Sequence, residues 1–423
     1  MANNFLNWQF TQVQSYQPLK VKHSTVILAF VALMFLGDAM NATLLRLGVP
    51  FWRVSILVRS LALLYFVFLL IRKPRSWRLL RIVLVLLIFF FLGAIFWYVN
   101  YEHYNWFENT NIFIKMIFFF ISWQVFRLYF KSNNERAWLF RIFEFLILIQ
   151  AFSIIIAFIF DLEIFQSYSS FKRFGYKGFI PARNELSGFF TIAFFYFIWK
   201  VTILDKGTIP LLLILIASLL TGAKVAISFP IILALFVAYW SLVHQKKRSY
   251  LYAIFLFFAF LALVIWRRNY ILELITPTLN YFRQQLAYGN NPNIFSIFFS
   301  GRDLLVMKLL EGFLSRINII TLLFGGYELS ILSSETDFID VFLFIGLVGA
   351  FIFYIVYIKT LFYCEKKRNF TQYVFVFSWL GISILAGHLV FSAINGPYLA
   401  ILLLAFSWLE YSKTGISQKG SSF

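Results

Sequence analysis

The sequence predicts an all-α, polytopic integral membrane protein: a bundle of about 12 transmembrane helices with a large extracytoplasmic loop. Three observations predict it. Of the 423 residues, 61% are hydrophobic and only 13% are charged, with a mean hydropathy of +0.81. A soluble domain cannot bury so much apolar surface, so the solvent must be lipid. The apolar residues fall in successive runs of roughly 20, the length that crosses a bilayer as helix. One long segment, Arg267 to Asp337, interrupts those runs with Arg302, Arg316, Glu335 and Asp337, and they resume at Phe338.

Taken in order, the spans are expected near 24–45, 52–71, 79–99, 111–130, 139–160, 185–204, 208–221, 224–243, 249–266, 338–358, 370–391 and 395–411. The seventh is short, and Thr221-Gly222-Ala223-Lys224 turns directly into the eighth. A short span beside a glycine turn suits a tilted or re-entrant pair, which would reduce the count to eleven. No period of 20–50 residues marks a repeat array, and no low-complexity linker divides the chain, so residues 1–423 read as one integral domain. Met1 to Gln17 is polar and aromatic, with no basic leader or small-residue cleavage site, and predicts no cleavable signal peptide. The single cysteine, Cys364, excludes an intrachain disulfide and a cysteine-rich zinc site.

Charge sets the orientation. A net charge of +19 would suggest nucleic acid in a soluble protein, but here its placement along the loops is what counts, and no nucleic-acid partner is expected. With the N-terminus in the cytoplasm, the inner loops carry Arg72, Lys73, Arg75, Arg78 and Arg81, then Arg127, Lys131, Arg136 and Arg141, then Lys246, Lys247 and Arg248, and finally Lys359, Lys366, Lys367 and Arg368. The outer loop Asn100 to Asn109 holds Glu102 and Glu108 and neither Lys nor Arg. Every short loop then obeys the positive-inside rule, and both termini are cytoplasmic.

Two expected outer segments depart from the charge trend. The first, Asp161 to Glu185, contains Lys172, Arg173, Lys177 and Arg183. Anionic lipid headgroups at the surface would account for the excess, and so would an anionic ligand. Arginine forks match phosphate oxygens bidentately, and Tyr176 and Phe179 can stack on sugar rings. Gly175 and Gly178 permit turns, while Asn184 and Glu185 read as an N-cap and an acid favoured at a helix start.

In the second segment, Ser300-Gly301-Arg302-Asp303 precedes an amphipathic stretch with Leu304, Leu305, Lys308, Leu309 and Phe313. Ser300 with Asp303 fits a capping box. Arg302 has no such explanation, because a cation at a helix N-terminus is mildly unfavourable, and an anionic partner would resolve the misfit. The segment closes with Gly325-Gly326-Tyr327-Glu328 and Ser334-Glu335-Thr336-Asp337, with Asp340 one turn further into the tenth span. Acids there complement a helix start, and acids paired with arginines at a membrane mouth can also activate a hydroxyl as general base. Gly346 and Gly349 suit close helix packing.

Within the spans, Asp38, Arg59, Glu144 and Lys224 suit internal pairs that hold the bundle, and His388 reads as a packing histidine. Neither a His-Glu-x-x-His zinc motif nor a phosphate-binding Gly-x-x-x-x-Gly-Lys loop occurs, so ATP hydrolysis by this chain is not expected.

At these residues the chain resembles the O-antigen polymerase and ligase family, the Wzy-type bacterial polysaccharide polymerases. Arg173-Phe174-Gly175 through Asn184 resembles the family's basic outer loop with its following Asn. Leu220-Thr221-Gly222-Ala223-Lys224 resembles its Thr-Gly-Ser-Arg turn. Ser300-Gly301-Arg302 resembles the Gly-Arg start of its loop helix, and Phe324-Gly325-Gly326-Tyr327, Glu335-Thr336-Asp337 and Gly346-Leu347-Val348-Gly349 resemble its close. The likeness covers roughly residues 165–360. The turn departs from the family at Ala223-Lys224, and no histidine lies between Arg267 and Asp337, which favours polymerase over ligase.

The resemblance implies metal-independent, inverting glycosyl transfer without a cofactor, between undecaprenyl-diphosphate-linked oligosaccharides at the outer face of the bacterial cytoplasmic membrane. It implies as partners the lipid bilayer, and a chain-length regulator and flippase of the same pathway. By residue matching, Arg173 and Arg302 bind the diphosphate, Lys172, Arg183, Lys224 and Tyr327 support substrate binding, and Glu335 or Asp337 deprotonates the acceptor hydroxyl. The rivals are a lipid-linked oligosaccharide flippase, against which the two large outer loops argue, a peptidoglycan polymerase, whose signature segments are not seen, and a non-enzymatic transporter or sensor.

Overall fold

The computed structural model describes residues 22–49, 53–101, 103–167, 175–180, 182–204, 206–223, 225–226, 228–229, 232–233, 276, 280, 302–315, 318–331, 333–334, 336–363 and 370–419. The expected eighth and ninth spans fall almost wholly outside the described residues, as do Lys172, Arg173, Lys224 and Glu335.

Among the described residues the chain is helical, with one isolated antiparallel bridge between Gln166 and Tyr176. The longer helices are α1 (His23–Arg46), α2 (Val54–Ile71), α3 (Trp77–Tyr101), α4 (Trp106–Tyr129), α5 (Asn133–Ile159) and α6 (Arg183–Leu204). After α7 (Thr208–Leu220) come α8 (Arg302–Leu314), α9 (Ile319–Phe324), α10 (Asp337–Leu361), α11 (Phe370–Ala386) and α12 (Asn395–Lys419). Seven of these, α1 to α6 and α10, are long and apolar enough to cross a membrane, and Thr208–Leu220, Phe370–Ile384 and Asn395–Ser407 are shorter apolar helical stretches.

Local chemistry sets several starts. Asn105 caps α4 by accepting from the Glu108 amide, and Ser132 with Glu135 forms a capping box on α5. The first helical residue of α6 is Arg183, which puts Asn184 inside the first turn and not at the cap the sequence suggested.

Burial orders the bundle. The apolar windows of α4 and α6 are 67% and 72% buried, against 28% and 22% for α2 and α3. Residues 395–407 of α12 are buried throughout. Helices α4, α6 and α12 therefore form the centre, with α12 packed mainly on α4 and α6. Phe66, Phe118, Phe120, Phe126 and Phe143 fill the space between helices, and Leu57, Leu64, Leu84 and Phe91 point outward. An apolar exterior this extensive is what lipid solvation requires.

Contacts between connections define two ends. At one end His23 meets Tyr65 and Tyr129, Ser24 donates to Glu135, and Arg127 lies over Tyr363. At the other end Arg53 pairs with Glu108, Asn105 meets Glu328, and Arg46 meets Gly178. The second end carries the segments of interest.

Candidate functional site

At that second end, three non-helical segments turn back into the bundle. Backbone buried there must find its hydrogen bonds within the protein.

The first is residues 175–180. The Gln150 side chain donates to the Lys177 carbonyl (2.9 Å) and accepts from the Phe179 amide (3.0 Å), and Arg46 donates to the Gly178 carbonyl (2.8 Å). Gln150 lies nine residues before the end of α5 at Ile159. At about 1.5 Å per residue, this segment therefore reaches about 13 Å below the helix end. A side chain at Gly178, whose φ is +56°, would strike Ser153 and Gln150. The segment also docks on the Thr-Gly turn, where the Tyr176 amide donates to the Leu220 carbonyl at 2.9 Å. The basic loop and the turn after α7 are thus adjacent.

The second segment is residues 325–331. It threads between α3 and α10: the amides of Gly326 and Tyr327 donate to the carbonyls of Phe344 and Leu343 at 3.0 and 3.1 Å. Gly93 of α3 lies against Phe324 to Gly326, and Gly346, with φ +71° inside α10, lies against Leu323 and Gly325. Gly346 thus serves a backbone kink that admits a loop, where the sequence suggested helix packing. Gly93 is eight residues from Tyr101, which puts the loop about 12 Å down α3. The long segment expected outside the bilayer therefore ends within the bundle. Tyr327 packs edge-on to Trp97 and Phe313, and Phe313 also meets Phe342, which ties α8 to the start of α10. Buried Glu328 accepts from the Asn105 amide (2.8 Å) and Ser330 (3.1 Å) and meets His103 (3.2 Å). Burial, with Glu328 nearby, pushes the Tyr104 hydroxyl above its usual range.

The third segment, residues 387–394, connects α11 to α12. The apolar pattern extends the eleventh span to 391, whereas α11 ends at Ala386. The Asp337 carboxylate is fully buried, and its Oδ2 accepts from Ser383 Oγ (2.7 Å) and from the Leu389 and Val390 amides (3.0 and 3.2 Å). Asp340 accepts from the Ser334 amide at 2.7 Å, and His388, with φ +59°, lies within electrostatic reach of both acids. Ser392 donates to Glu185 at 3.0 Å and caps the Asn395 amide. This connection therefore bridges the two halves, with Glu185 near the basic loop on one side and Asp337 near the glycine loop on the other.

Beneath it, Asp38 accepts from Ser55 and Arg59. Glu144 pairs with Lys200 and Tyr196, a pairing the sequence reading did not foresee. Of the expected site residues, Arg183 opens α6 and is exposed, Arg302 opens α8 half-buried, Tyr327 lines the glycine loop, and Asp337 is internal. The connection 387–394 escaped the sequence reading although Gly387, Ser392 and the run Asn395-Gly396-Pro397 interrupt the apolar pattern.

No family model matches the chain, and neither a curated protein nor a solved structure matches it.

Proposed function

We propose that the protein is a membrane glycosyltransferase that polymerises undecaprenyl-diphosphate-linked oligosaccharide repeat units into O-antigen, capsular or exopolysaccharide. The observation that carries this reading is the gathering of cations beside the re-entrant loop 175–180. Lys177 is held below its usual ammonium range by burial and by the charges of Arg46 and Arg183. By the positive-inside rule this end faces away from the cytoplasm, where lipid-linked repeat units are assembled into polymer.

In this reading Arg173, Arg183 and Arg302, with Lys172 and Lys224, bind the donor diphosphate. The bond between the sugar C1 and the diphosphate oxygen breaks, and the cations offset the charge on the leaving lipid diphosphate. The acceptor hydroxyl oxygen bonds to C1 from the opposite face, and its proton passes to a carboxylate acting as base and on to water. Glu335 or Asp337 takes that proton as the base; Asp337 also holds the α11–α12 connection in place through the three donors to its Oδ2. Tyr327 offers a ring for a sugar. In cells, Arg302→Ala is expected to abolish chain extension while the protein remains folded and inserted. A normal polymer length distribution in that variant would refute the assignment of Arg302.

A further inference from the structure

Arg46, at the end of α1, was not singled out by its sequence context. In the fold its guanidinium lies under the re-entrant loop, with its carbon 5.0 Å from the centre of the Phe165 ring. Nη2 donates to the Gly178 carbonyl at 2.8 Å, but Nη1 is buried without a hydrogen-bond partner. A buried donor on a charged group that is left unsatisfied is expensive, and guanidinium is ordinarily matched to an oxyanion. The surrounding charge has the same sign: Lys177 lies on the loop above, within electrostatic reach of both Arg46 and Arg183. Asp161, on the same connection, is engaged by other partners, accepting from Tyr176 at 2.6 Å and from Gln166. Like charges gathered at a partly buried point destabilise a fold unless an anion joins them.

We propose that Arg46 and Lys177 form a phosphoryl-binding cradle, in which the free Nη1 of Arg46 and the Lys177 ammonium take oxygens of one phosphate group. The chemistry is shared by a lipid headgroup phosphate and by the diphosphate of a lipid carrier. Assigning the second source rests on the polymerase reading; the cradle itself does not.

The fold lends itself to a clean test. The loop is pinned by the backbone of Lys177, whose amide donates to the Phe165 carbonyl at 2.8 Å and whose carbonyl accepts from Gln150. Lys177→Gln therefore removes a cradle charge without removing a contact that positions the loop. Arg46→Gln removes the fork but also endangers the Gly178 bond, so its thermal stability is measured alongside.

The experiment titrates inorganic pyrophosphate into full-length protein in phosphatidylcholine nanodiscs, and in parallel measures binding to vesicles containing phosphatidylglycerol. Wild type is expected to bind pyrophosphate, both variants to bind at least tenfold more weakly, and Lys177→Gln to keep the wild-type melting temperature. Binding confined to phosphatidylglycerol vesicles, and lost in both variants, keeps the cradle and assigns it to a headgroup. Absence of binding to both probes by wild type, or wild-type affinity in the folded Lys177→Gln protein, would overturn the proposal. Intact pyrophosphate binding in a protein that polymerises nothing would refute the enzyme reading and leave the cradle standing.

Discussion

Gly93→Ala is the sharpest perturbation of the re-entrant architecture. A Cβ at position 93 would lie 2.5 Å from the Phe324 carbonyl oxygen, 2.8 Å from the Gly326 amide nitrogen and 3.0 Å from the Gly325 carbonyl carbon. These are backbone atoms, so no side chain can rotate aside. The loop must retreat by about half an ångström, and it has nowhere to go. Its far side is bonded to Phe344 and Leu343 of α10, and a Cβ at Gly325 would already lie 2.3 Å from the Gly346 amide nitrogen. Either α3 separates from α10 or the two loop bonds stretch. Overpacking costs about 1–3 kcal/mol, and each stretched buried amide bond about 1 kcal/mol. The expected loss is about 3 kcal/mol, using both estimates. The assay is reversible unfolding of the detergent-solubilised chain by SDS titration. Gly381→Ala in α11 is the reference, because a Cβ there meets nothing within 4 Å. It should change stability by less than about 0.5 kcal/mol, or raise it slightly through helix propensity. Equal stabilities for the two variants would refute the threaded loop.

Two further outcomes follow from the bundle. Asp38 and Arg59 are a buried pair, so removing either charge by Asp38→Ala or Arg59→Ala should cost about 3–5 kcal/mol. The double variant should cost clearly less than the sum, and strict additivity in the same SDS titration would deny the pairing. In a Cys364→Ser background, Ala182→Cys should react with a membrane-impermeant maleimide on intact cells, and Lys131→Cys only after permeabilisation. The reverse pattern would invert the orientation.

The helical membrane class and most span positions are legible in composition and run length, because lipid solvation forces apolar residues into uninterrupted helices. The charge series Arg72 to Arg81 and Arg127 to Arg141 is the basis of the expected loop alternation. The re-entrant segments are not legible, and the cause is specific. Gly93, Gly326 and Gly346 matter through close backbone approach, and nothing local marks Gly93 as the partner of a loop more than 200 residues distant, or Gly346 as the partner of one about 20 residues before it. The span estimate also absorbed residues 387–391, since Leu389, Val390 and Phe391 look like helix until Asp337 is seen to accept from two of their amides. Arg46 was hidden for a different reason. At the end of an apolar helix a single arginine looks like a snorkelling cation, and only the position of Gly178 and Phe165 reveals that its guanidinium is turned inward.

Reconstitution tests most directly whether this end of the bundle carries glycosyl transfer. Purified protein in liposomes would be given an undecaprenyl-diphosphate-linked repeat unit, with EDTA and no nucleotide sugar, and the products separated by glycan length. The account predicts a ladder of longer lipid-linked glycans with release of undecaprenyl diphosphate, and no ladder with Arg302→Ala. Transfer of the intact lipid-linked unit across the membrane, with no growth of any repeat unit supplied, would contradict the account and identify a transporter.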